Sequence, residues 1–282
     1  MFYLINKPIG FTSFDVIRKI RKMTGIKKMG HTGTLDPLAT GCLLIATENS
    51  TKLISRLENS KKTYLFTVDV SITSPTLDLE KDVSNVEIGG MIDHSEDDLI
   101  EFLKNQTSQL PPRYSAIHIG GKRAYDLARK GVDFEIEKRK IEVTDIEIME
   151  KNLPKITIRL TLSAGGYVRS FAPVIADFFG VPDGGCITSL HREKIENIDL
   201  SLSMGFENLD ITNTIPYPLL LNHIEVCSLD SKYKKPLIDG LVLDIGTPEE
   251  RNSKKEILIY CDDICSLGHW TEGGIEVIKN YV

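Results

Sequence analysis

The chain has 282 residues, of which 41% are hydrophobic and 26% are charged, and its formal net charge is −6. This length and composition are typical of a globular protein with one large domain, or with a domain and a small module. No apolar run approaches the roughly 20 residues that span a bilayer, and the N-terminus lacks the long apolar core of a signal peptide. We therefore predict a cytoplasmic protein without a membrane segment.

The charge is distributed unevenly along the chain. Residues 1–62 contain eleven Lys or Arg side chains and four Asp or Glu side chains, a net charge of +7. This basic segment fits two interpretations, a surface that contacts phosphate groups or a solvated charged helix face.

The N-terminal segment predicts a strand followed by a helix. Phe2 to Ile5 form a short apolar run that indicates a strand. The helix can begin at a cap formed by Thr12 or Ser13 and end at Gly25. Its predicted apolar stripe consists of Phe14, Ile17 and Ile20.

A glycine-rich loop follows, from Met29 to Gly41, with three glycines, one histidine and one aspartate. Glycine permits positive φ and close backbone approach, while Pro37 holds φ near −65° and biases Asp36 toward an extended conformation. The loop should therefore be stiff and present Asp36. Its residues alone fit a turn in which Asp36 caps its own backbone, or an active-site loop. A phosphate-binding cofactor loop is disfavoured, because neither the P-loop nor the dinucleotide pattern is present.

Two strands and a short helix are predicted after the loop. Cys42 to Ala46 indicates a buried strand, and Ser50 to Leu57 indicates a short helix. Lys61 to Ser71 alternates strictly and predicts a strand. One face of this strand carries Tyr64, Phe66, Val68 and Val70.

The segment from Leu77 to Glu101 is strongly acidic. It contains nine Asp or Glu side chains, Asp78 among them, and a single basic one. Ser95 and Asp98 form a capping box for a helix to about Lys104. We predict that these acids form the solvated back of the domain.

The remaining segments predict mainly strands and loops. Residues 111–131 combine basic and tyrosine side chains with a helix that ends at Gly131, and residues 141–149 and 156–163 predict a hairpin. The tail from Cys227 has short apolar stretches at 241–243, 256–260 and 274–278. They suggest a small β-rich module.

Three possible metal ligands, Cys261, Cys265 and His269, are spaced by four residues. On a helix they would share one face. The preceding run predicts a strand, in which this spacing separates side chains by about 13 Å. We therefore predict no metal site, since a structural zinc needs four ligands. The five scattered cysteines of the chain are likewise unlike a disulfide framework.

Residues 30–41, GHTGTLDPLATG, resemble the catalytic motif of the TruB family, the bacterial tRNA pseudouridine synthases that act on uridine 55 of the T loop. Further elements similar to the family follow in family order. They are KPIG at residues 7–10, KTY at 62–64, GYVRS at 166–170 and SLHR at 189–192.

The resemblance implies a role for each matching residue. Asp36 is the catalytic carboxylate, and Arg169 is the cation that keeps it ionised and oriented. The substrate-binding residues are His31, Tyr64, Tyr167, Arg169 and Leu190, which stack on or enclose the flipped nucleotide. The RNA-contacting residues are Lys7, Lys122 and Arg123, the last two in a thumb-like insertion at about 113–135.

The resemblance also implies a fold and a function. The fold is α+β, a pseudouridine synthase fold with a mixed, largely antiparallel central sheet flanked by helices, in residues 1–225. Residues 226–282 would form a small β-rich module similar to a PUA domain. The implied substrate is tRNA, with no cofactor or metal, no obligate protein partner and a monomeric enzyme. A non-catalytic RNA-binding or tRNA-folding protein on the same scaffold is the alternative.

One departure from the family pattern bears on the site. The family carries a Thr-Asp-Thr-x-Asp element after the tyrosine strand, and in this chain residues 74–78, SPTLD, replace its first acid with Pro75. No proposed catalytic group is lost by this change. We therefore expect it to affect packing or RNA contacts before activity.

Overall fold

The computed structural model describes residues 1–221, 224–245, 256–262 and 264–281. The strands are, in chain order, β1 (Phe2–Lys7), β2 (Met29–His31), β3 (Thr40–Thr47), β4 (Lys62–Asp69), β5 (Ile72–Thr73), β6 (Ser84–Asn85), β7 (Ser108–Gln109), β8 (His118–Ile119), β9 (Lys122–Arg123), β10 (Arg139–Lys140), β11 (Val143–Asn152), β12 (Lys155–Leu162), β13 (Cys186–Ile195), β14 (Ile198–Asp199), β15 (Met204–Gly205), β16 (Glu225–Ser228), β17 (Glu256–Cys261), β18 (Ile264–Thr271) and β19 (Gly274–Asn280). The α-helices are α1 (Ser13–Thr24), α2 (Ile54–Leu57), α3 (Glu96–Lys104), α4 (Ala124–Arg129), α5 (Phe171–Phe178), α6 (Tyr217–Leu220) and α7 (Lys234–Ile238). None of these helices is long and apolar enough to cross a membrane.

A central sheet organises the chain. Its strands run in the order β11-β12-β4-β13-β3-β1-β15, with β2 paired to β3 and β14 paired to β13. The β13–β3 and β1–β15 pairs are parallel and the other pairs are antiparallel. This is the mixed, largely antiparallel sheet that the sequence predicted.

The two faces of the sheet bury different side chains. Side chains alternate along a strand, so Tyr3 and Ile5 pack on one face with apolar residues of α1, α3 and α5. Phe2 and Leu4 pack on the other face, in a second core that includes residues of β17 and β18. Helices α1, α3 and α5 therefore cover one face of β1, and the C-terminal sheet covers the other together with α2 and α6.

Helix α1 begins and ends where its sequence predicts. Thr12 accepts a hydrogen bond from the amide of Asp15, whose carboxylate in turn accepts from Thr12, and Gly25 ends the helix in the left-handed conformation. The predicted apolar stripe is wrong at one position. Phe14 is exposed, and Val16 is buried in its place.

A two-stranded ladder connects the predicted insertion to the domain. Strands β7 and β10 pair at Gln109 and Arg139, and residues 110–138 between them contain the β8–β9 hairpin and helix α4. The predicted thumb-like segment, residues 113–135, lies within residues 110–138.

The C-terminal strands form a four-stranded sheet in the order β16-β17-β18-β19. The apolar stretches at 256–260 and 274–278 are strands as predicted, and strand β18 between them was not predicted. The stretch at 241–243 is not a strand and contributes one bridge, between Leu243 and Ile275. Parts of the predicted module, at 246–255, 263 and 282, lie outside the described residues.

Candidate active site

The glycine-rich loop connects two antiparallel strands. Strand β2 pairs with β3, with His31 opposite Ile45, so residues 32–39 form the loop between them. The carbonyl of Asp36 accepts a hydrogen bond from the amide of Ala39 at 3.0 Å, which defines a turn with proline in its second position. The turn interpretation is therefore correct for the backbone of this loop.

Helix α1 holds the loop in place. The buried Ser13 hydroxyl accepts from the amide of Leu35 at 2.9 Å and donates to its carbonyl at 3.2 Å. The amide of Gly10 donates to the carbonyl of Pro37 at 2.8 Å. Because both neighbours of Asp36 are fixed, the direction of its side chain is set by the fold.

The Asp36 carboxylate forms an ion pair with Arg169 instead of capping its own backbone. Arg169 Nη2 donates to Asp36 Oδ1 at 3.1 Å, and Arg169 Nε lies 2.9 Å from Asp36 Oδ2. The Arg169 side chain is 5% exposed and the Asp36 side chain is 30% exposed. One face of the carboxylate therefore remains accessible, while the cation behind it is shielded from water.

The protein fixes Arg169 through further contacts. Its Nη1 donates to the carbonyl of Thr76 at 2.9 Å, and its Nη2 donates to the carbonyl of Tyr114 at 3.0 Å. Asp78 Oδ2 lies 3.6 Å from Nε, and the Asp78 side chain is 1% exposed. The guanidinium thus lies between two carboxylates, one open to the cavity and one buried.

Burial raises the pKa of Asp36 above its ordinary value, and the Arg169 guanidinium opposes this effect. The nearby Asp78 carboxylate also raises it. A carboxylate with a raised pKa is a stronger base than a solvated one. This environment suits an aspartate that attacks carbon or removes a proton.

A cavity of about 650 Å³ opens beside this ion pair. Its lining includes five of the predicted site residues, namely Asp36, Tyr64, Tyr167, Arg169 and Leu190. The volume is within the range of pockets that hold small organic ligands. A groove of about 770 Å³, lined by residues such as Thr63 and Thr161, contains none of these five.

A glutamine fixes the tyrosine segment of the site. Gln109 Nε2 donates to the carbonyl of Tyr167 at 2.7 Å, and Gln109 Oε1 accepts from the Tyr167 amide at 2.7 Å. Burial raises the pKa of the Tyr167 phenol. The strand β7 therefore positions Tyr167 and the following Arg169.

The remaining predicted residues lie away from the cavity. His31 precedes Thr32, which lines it, and burial lowers the pKa of the His31 imidazole. Its buried Nδ1 makes no hydrogen bond to the part of the chain that the structure describes. Lys122 and Arg123 are exposed on β9 in the insertion.

The chain also matches known proteins. The model of the TruB family pseudouridylate synthase N-terminal domain matches residues 21–168. The chain belongs to the TruB family. It is therefore a pseudouridine synthase, as the motifs predicted.

Curated TruB relatives resemble the chain over most of its length. The tRNA pseudouridine synthase B of Clostridium tetani is 35% identical over 98% of this chain and 97% of its own. The enzyme of the same name from Clostridium kluyveri is 38% identical over 84% and 83%. A solved H/ACA RNP bound to a substrate RNA containing 2′-deoxyuridine is 19% identical, with a TM-score of 0.67 over 100% of this chain and 84% of the other. This likeness confirms the predicted fold.

Two predictions about this TruB protein are wrong. Lys7 was predicted to contact RNA, but it is fully buried and its Nζ donates to the carbonyls of Pro8 and Phe11. A side chain without exposed surface offers no atom to a phosphate, so Lys7 stabilises this turn instead. Asp78 was assigned to the solvated acidic face, but it is buried beside Arg169.

Several residues that line or support the cavity were not predicted from the sequence. Lys62 and Arg192 line it directly. They belong to the KTY and SLHR elements, of which only Tyr64 and Leu190 were predicted as site residues. Asp78 ends the Thr-x-Asp element. Gln109 has no local signal, because its role depends on a pairing 58 residues away.

The predicted arrangement of the cysteines along one strand is wrong, because Cys261 ends β17 and Cys265 lies on the neighbouring antiparallel strand β18. Cys261 packs in the core of the C-terminal sheet, whereas Cys265 packs in the core shared with the central sheet. Among the described residues, no group of three or more His, Cys, Asp or Glu side chains is arranged to hold a metal ion.

Proposed function

We propose that this enzyme isomerises uridine 55 in the T loop of tRNA to pseudouridine, with Asp36 as the catalytic carboxylate. The observation that supports this most directly is the Asp36–Arg169 ion pair in the wall of a cavity that also contains Tyr64 and Leu190. The relatives named tRNA pseudouridine synthase B support the choice of tRNA.

The reaction requires cleavage of a C–N glycosidic bond, rotation of the uracil and a new bond to C5. An aspartate can assist this without a cofactor, either as a nucleophile at uracil C6 or ribose C1′ or as the base that removes the C2′ proton. Asp36 has one accessible face toward the cavity. Arg169 orients the carboxylate in each of these routes.

The substrate uridine must leave the T loop before it reacts. Extrusion of a base costs a few kcal/mol, which stacking and hydrogen bonds in the pocket offset. In this proposal Tyr64 stacks on the uracil, Leu190 provides an apolar wall and Tyr167 packs beside them. All three line the cavity. His31 would occupy the space that the flipped nucleotides vacate.

The insertion supplies contacts to the RNA backbone in this proposal. Lys122 and Arg123 are exposed and can approach phosphates. Tyr125 packs edge-on against Tyr114, and Arg129 lies over the Tyr125 ring at 4.8 Å. The insertion also touches the catalytic pair, because the Tyr114 carbonyl accepts from Arg169. RNA bound by the insertion would thus be held next to Asp36.

The enzyme in this proposal is a cytoplasmic monomer that acts without a cofactor, a metal or an obligate protein partner. Wild-type protein incubated with unmodified tRNA, followed by chemical mapping, tests which uridine is modified. We expect pseudouridine at position 55, and its absence there would refute the proposal.

Asp36→Asn is the matched control for this experiment. The amide keeps the shape of the side chain but can neither attack carbon nor accept a proton. We expect tRNA binding within a few-fold of wild type and no pseudouridine. An active Asp36→Asn protein would exclude the assigned role of Asp36.

A further inference from the structure

The cavity contains a second charged region besides the catalytic ion pair. Lys62 and Arg192 both line it, and they are 8% and 1% exposed. Neither forms an ion pair with a carboxylate among the described residues. Since buried charges cost free energy unless they are compensated, this region requires an explanation.

The Lys62 ammonium is bound only to backbone. It donates to the carbonyls of Glu58 at 3.0 Å and Ser60 at 2.7 Å, and an ammonium has a third donor. Burial lowers the pKa of Lys62 to about 8, with Arg192 contributing in the same direction, so most molecules keep the charge at neutral pH. Glu196 and Glu58 attract the ammonium and oppose this lowering, but neither forms an ion pair with it, and Glu58, which also lines the cavity, is exposed.

The Arg192 guanidinium is also held by carbonyl oxygens. Its Nε donates to Cys42 at 2.7 Å and its Nη2 donates to Gly33 at 3.1 Å. Its Nη1 has no acceptor in the part of the chain that the structure describes, although this nitrogen lies next to Gly33 in the catalytic loop. The side chain is thus fixed in position with donors remaining for a ligand.

Strand register places these cations next to the residues that enclose the base. Lys62 and Tyr64 lie on the same face of β4, two residues and about 7 Å apart. Arg192 pairs with Tyr64, and Leu190 pairs with Phe66, across the β4–β13 ladder. The cavity floor therefore changes from apolar at Leu190 to aromatic at Tyr64 and to cationic at Lys62 and Arg192.

We infer that Lys62 and Arg192 form a phosphate subsite that binds the backbone of the nucleotide whose base enters the cavity. The inference rests on the proposed function and adds the group that anchors the substrate. A guanidinium and an ammonium are the usual protein ligands of phosphate. A bound phosphate compensates both buried charges, while the adjoining Tyr64 and Leu190 hold the base.

A structural role for Lys62 predicts different behaviour. Lysine can stabilise the free carbonyls after a helix, and Glu58 and Ser60 follow α2 directly. In that case Lys62 contributes to folding and not to phosphate binding. The two roles are separated by an RNA in which only the charge of one phosphate is changed.

The test uses a short T stem-loop RNA with a single neutral methylphosphonate on the 5′ or the 3′ side of the target uridine. A third RNA carries the methylphosphonate in the stem. Single-turnover rates at subsaturating enzyme are compared for wild type, Lys62→Gln and Lys61→Gln. Lys61 is the matched control, because it is adjacent, its side chain is 43% exposed and it is paired with Glu142 at 3.0 Å.

For wild type we expect one of the two flanking methylphosphonates to lower the rate about 10- to 100-fold, the usual effect of a charge-assisted hydrogen bond. On natural RNA, the rate of Lys62→Gln should be lower than that of wild type by a similar factor. The same methylphosphonate should lower the rate of Lys62→Gln little further. Lys61→Gln should retain the full methylphosphonate effect. The stem modification should act equally on all three proteins.

The inference is overturned if Lys62→Gln is as active as wild type, or if it keeps the full methylphosphonate effect. If Lys62→Gln fails to fold, the rates of wild-type protein on the three modified RNAs test the inference. The absence of an effect at both flanking phosphates then overturns it. Pseudouridine at a position other than 55 would contradict the proposed function but not this subsite, since the RNA is designed around the uridine that reacts.

Discussion

Replacing Arg169 by glutamine removes the cation between Asp36 and Asp78. The wild-type guanidinium contacts Asp36 at 2.9 Å and 3.1 Å and lies 3.6 Å from the buried Asp78 carboxylate. Glutamine can replace one of the hydrogen bonds to the carbonyls of Thr76 and Tyr114, but it carries no charge. Asp36 then keeps only the weaker attraction of the Lys7 ammonium, and the buried Asp78 loses its ion-pair partner.

The loss of stability follows from this geometry. Removing one partner of a buried ion pair costs about 3–5 kcal/mol. Asp36 is 30% exposed, so water screens part of the change, and we expect the free energy of unfolding to fall by about 3 kcal/mol at neutral pH. Burial already raises the pKa of Asp36, and the loss of Arg169 raises it further. The carboxyl is then readily protonated in the folded state, so the destabilisation should shrink as the pH falls.

Urea unfolding at pH 8 and pH 5 measures this difference, and single-turnover pseudouridine formation measures activity. Arg159→Gln is the matched control, because Arg159 forms ion pairs with Glu147 and Glu193 on an open face of the sheet. Exposed pairs of this kind contribute about 0–1 kcal/mol. The reasoning is refuted if both variants lose the same stability, if the loss at Arg169 does not depend on pH, or if Arg169→Gln retains wild-type activity.

Three further predictions concern the catalytic loop and the insertion. Because the pKa of Asp36 is raised by burial, kcat/KM should fall with decreasing pH at a midpoint above 3.8, the ordinary aspartate value, and a midpoint at or below that value would contradict the effect of burial. Charge reversal at Lys122 and Arg123 should weaken tRNA binding and reduce the slope of log K against log salt by about 0.7–0.9 per lost phosphate contact; an unchanged slope would argue against RNA contact there. Gly41→Ala should lower the free energy of unfolding by well over about 1 kcal/mol and remove most activity. The reason is that φ is +101° and a Cβ would lie 2.2 Å from a carbonyl oxygen of β13. Gly10→Ala, at φ +83° with no atom within 4 Å, is the control, and equal melting temperatures for the two variants would exclude this explanation.

Features determined by neighbouring residues were predictable from the sequence. The capping boxes at Thr12 and Ser95 define the starts of α1 and α3, since each cap and its partner are three residues apart. Strand β4 followed from strict alternation. The pairing of Asp36 with Arg169 was also predicted, but only because the motifs that contain them resemble those of a family. No periodicity connects two residues 133 positions apart.

Features that depend on tertiary contacts were not predictable. Asp78 lies in an acidic segment, and its burial beside Arg169 depends on how the loop after β4 meets the segment before α5. Lys7 has the charge of a surface residue, yet its ammonium is enclosed by the turn that follows it. In both cases the charge of the side chain did not predict its exposure. The buried charge is compensated by a residue distant in sequence for Asp78 and by backbone carbonyls for Lys7.

The core shared by the central and C-terminal sheets also bears on how the protein is made. Phe2 and Leu4 pack in the same cluster as Leu258, Leu267 and Tyr281, so their apolar face has no complete cover until the strands of the C-terminal sheet have left the ribosome. Contacts between the ends of a chain form late during synthesis, and exposed apolar strands favour aggregation. The strands that hold the glycine-rich loop therefore depend on synthesis of the C-terminal sheet, and chains truncated before this sheet should be selected by chaperones and proteases.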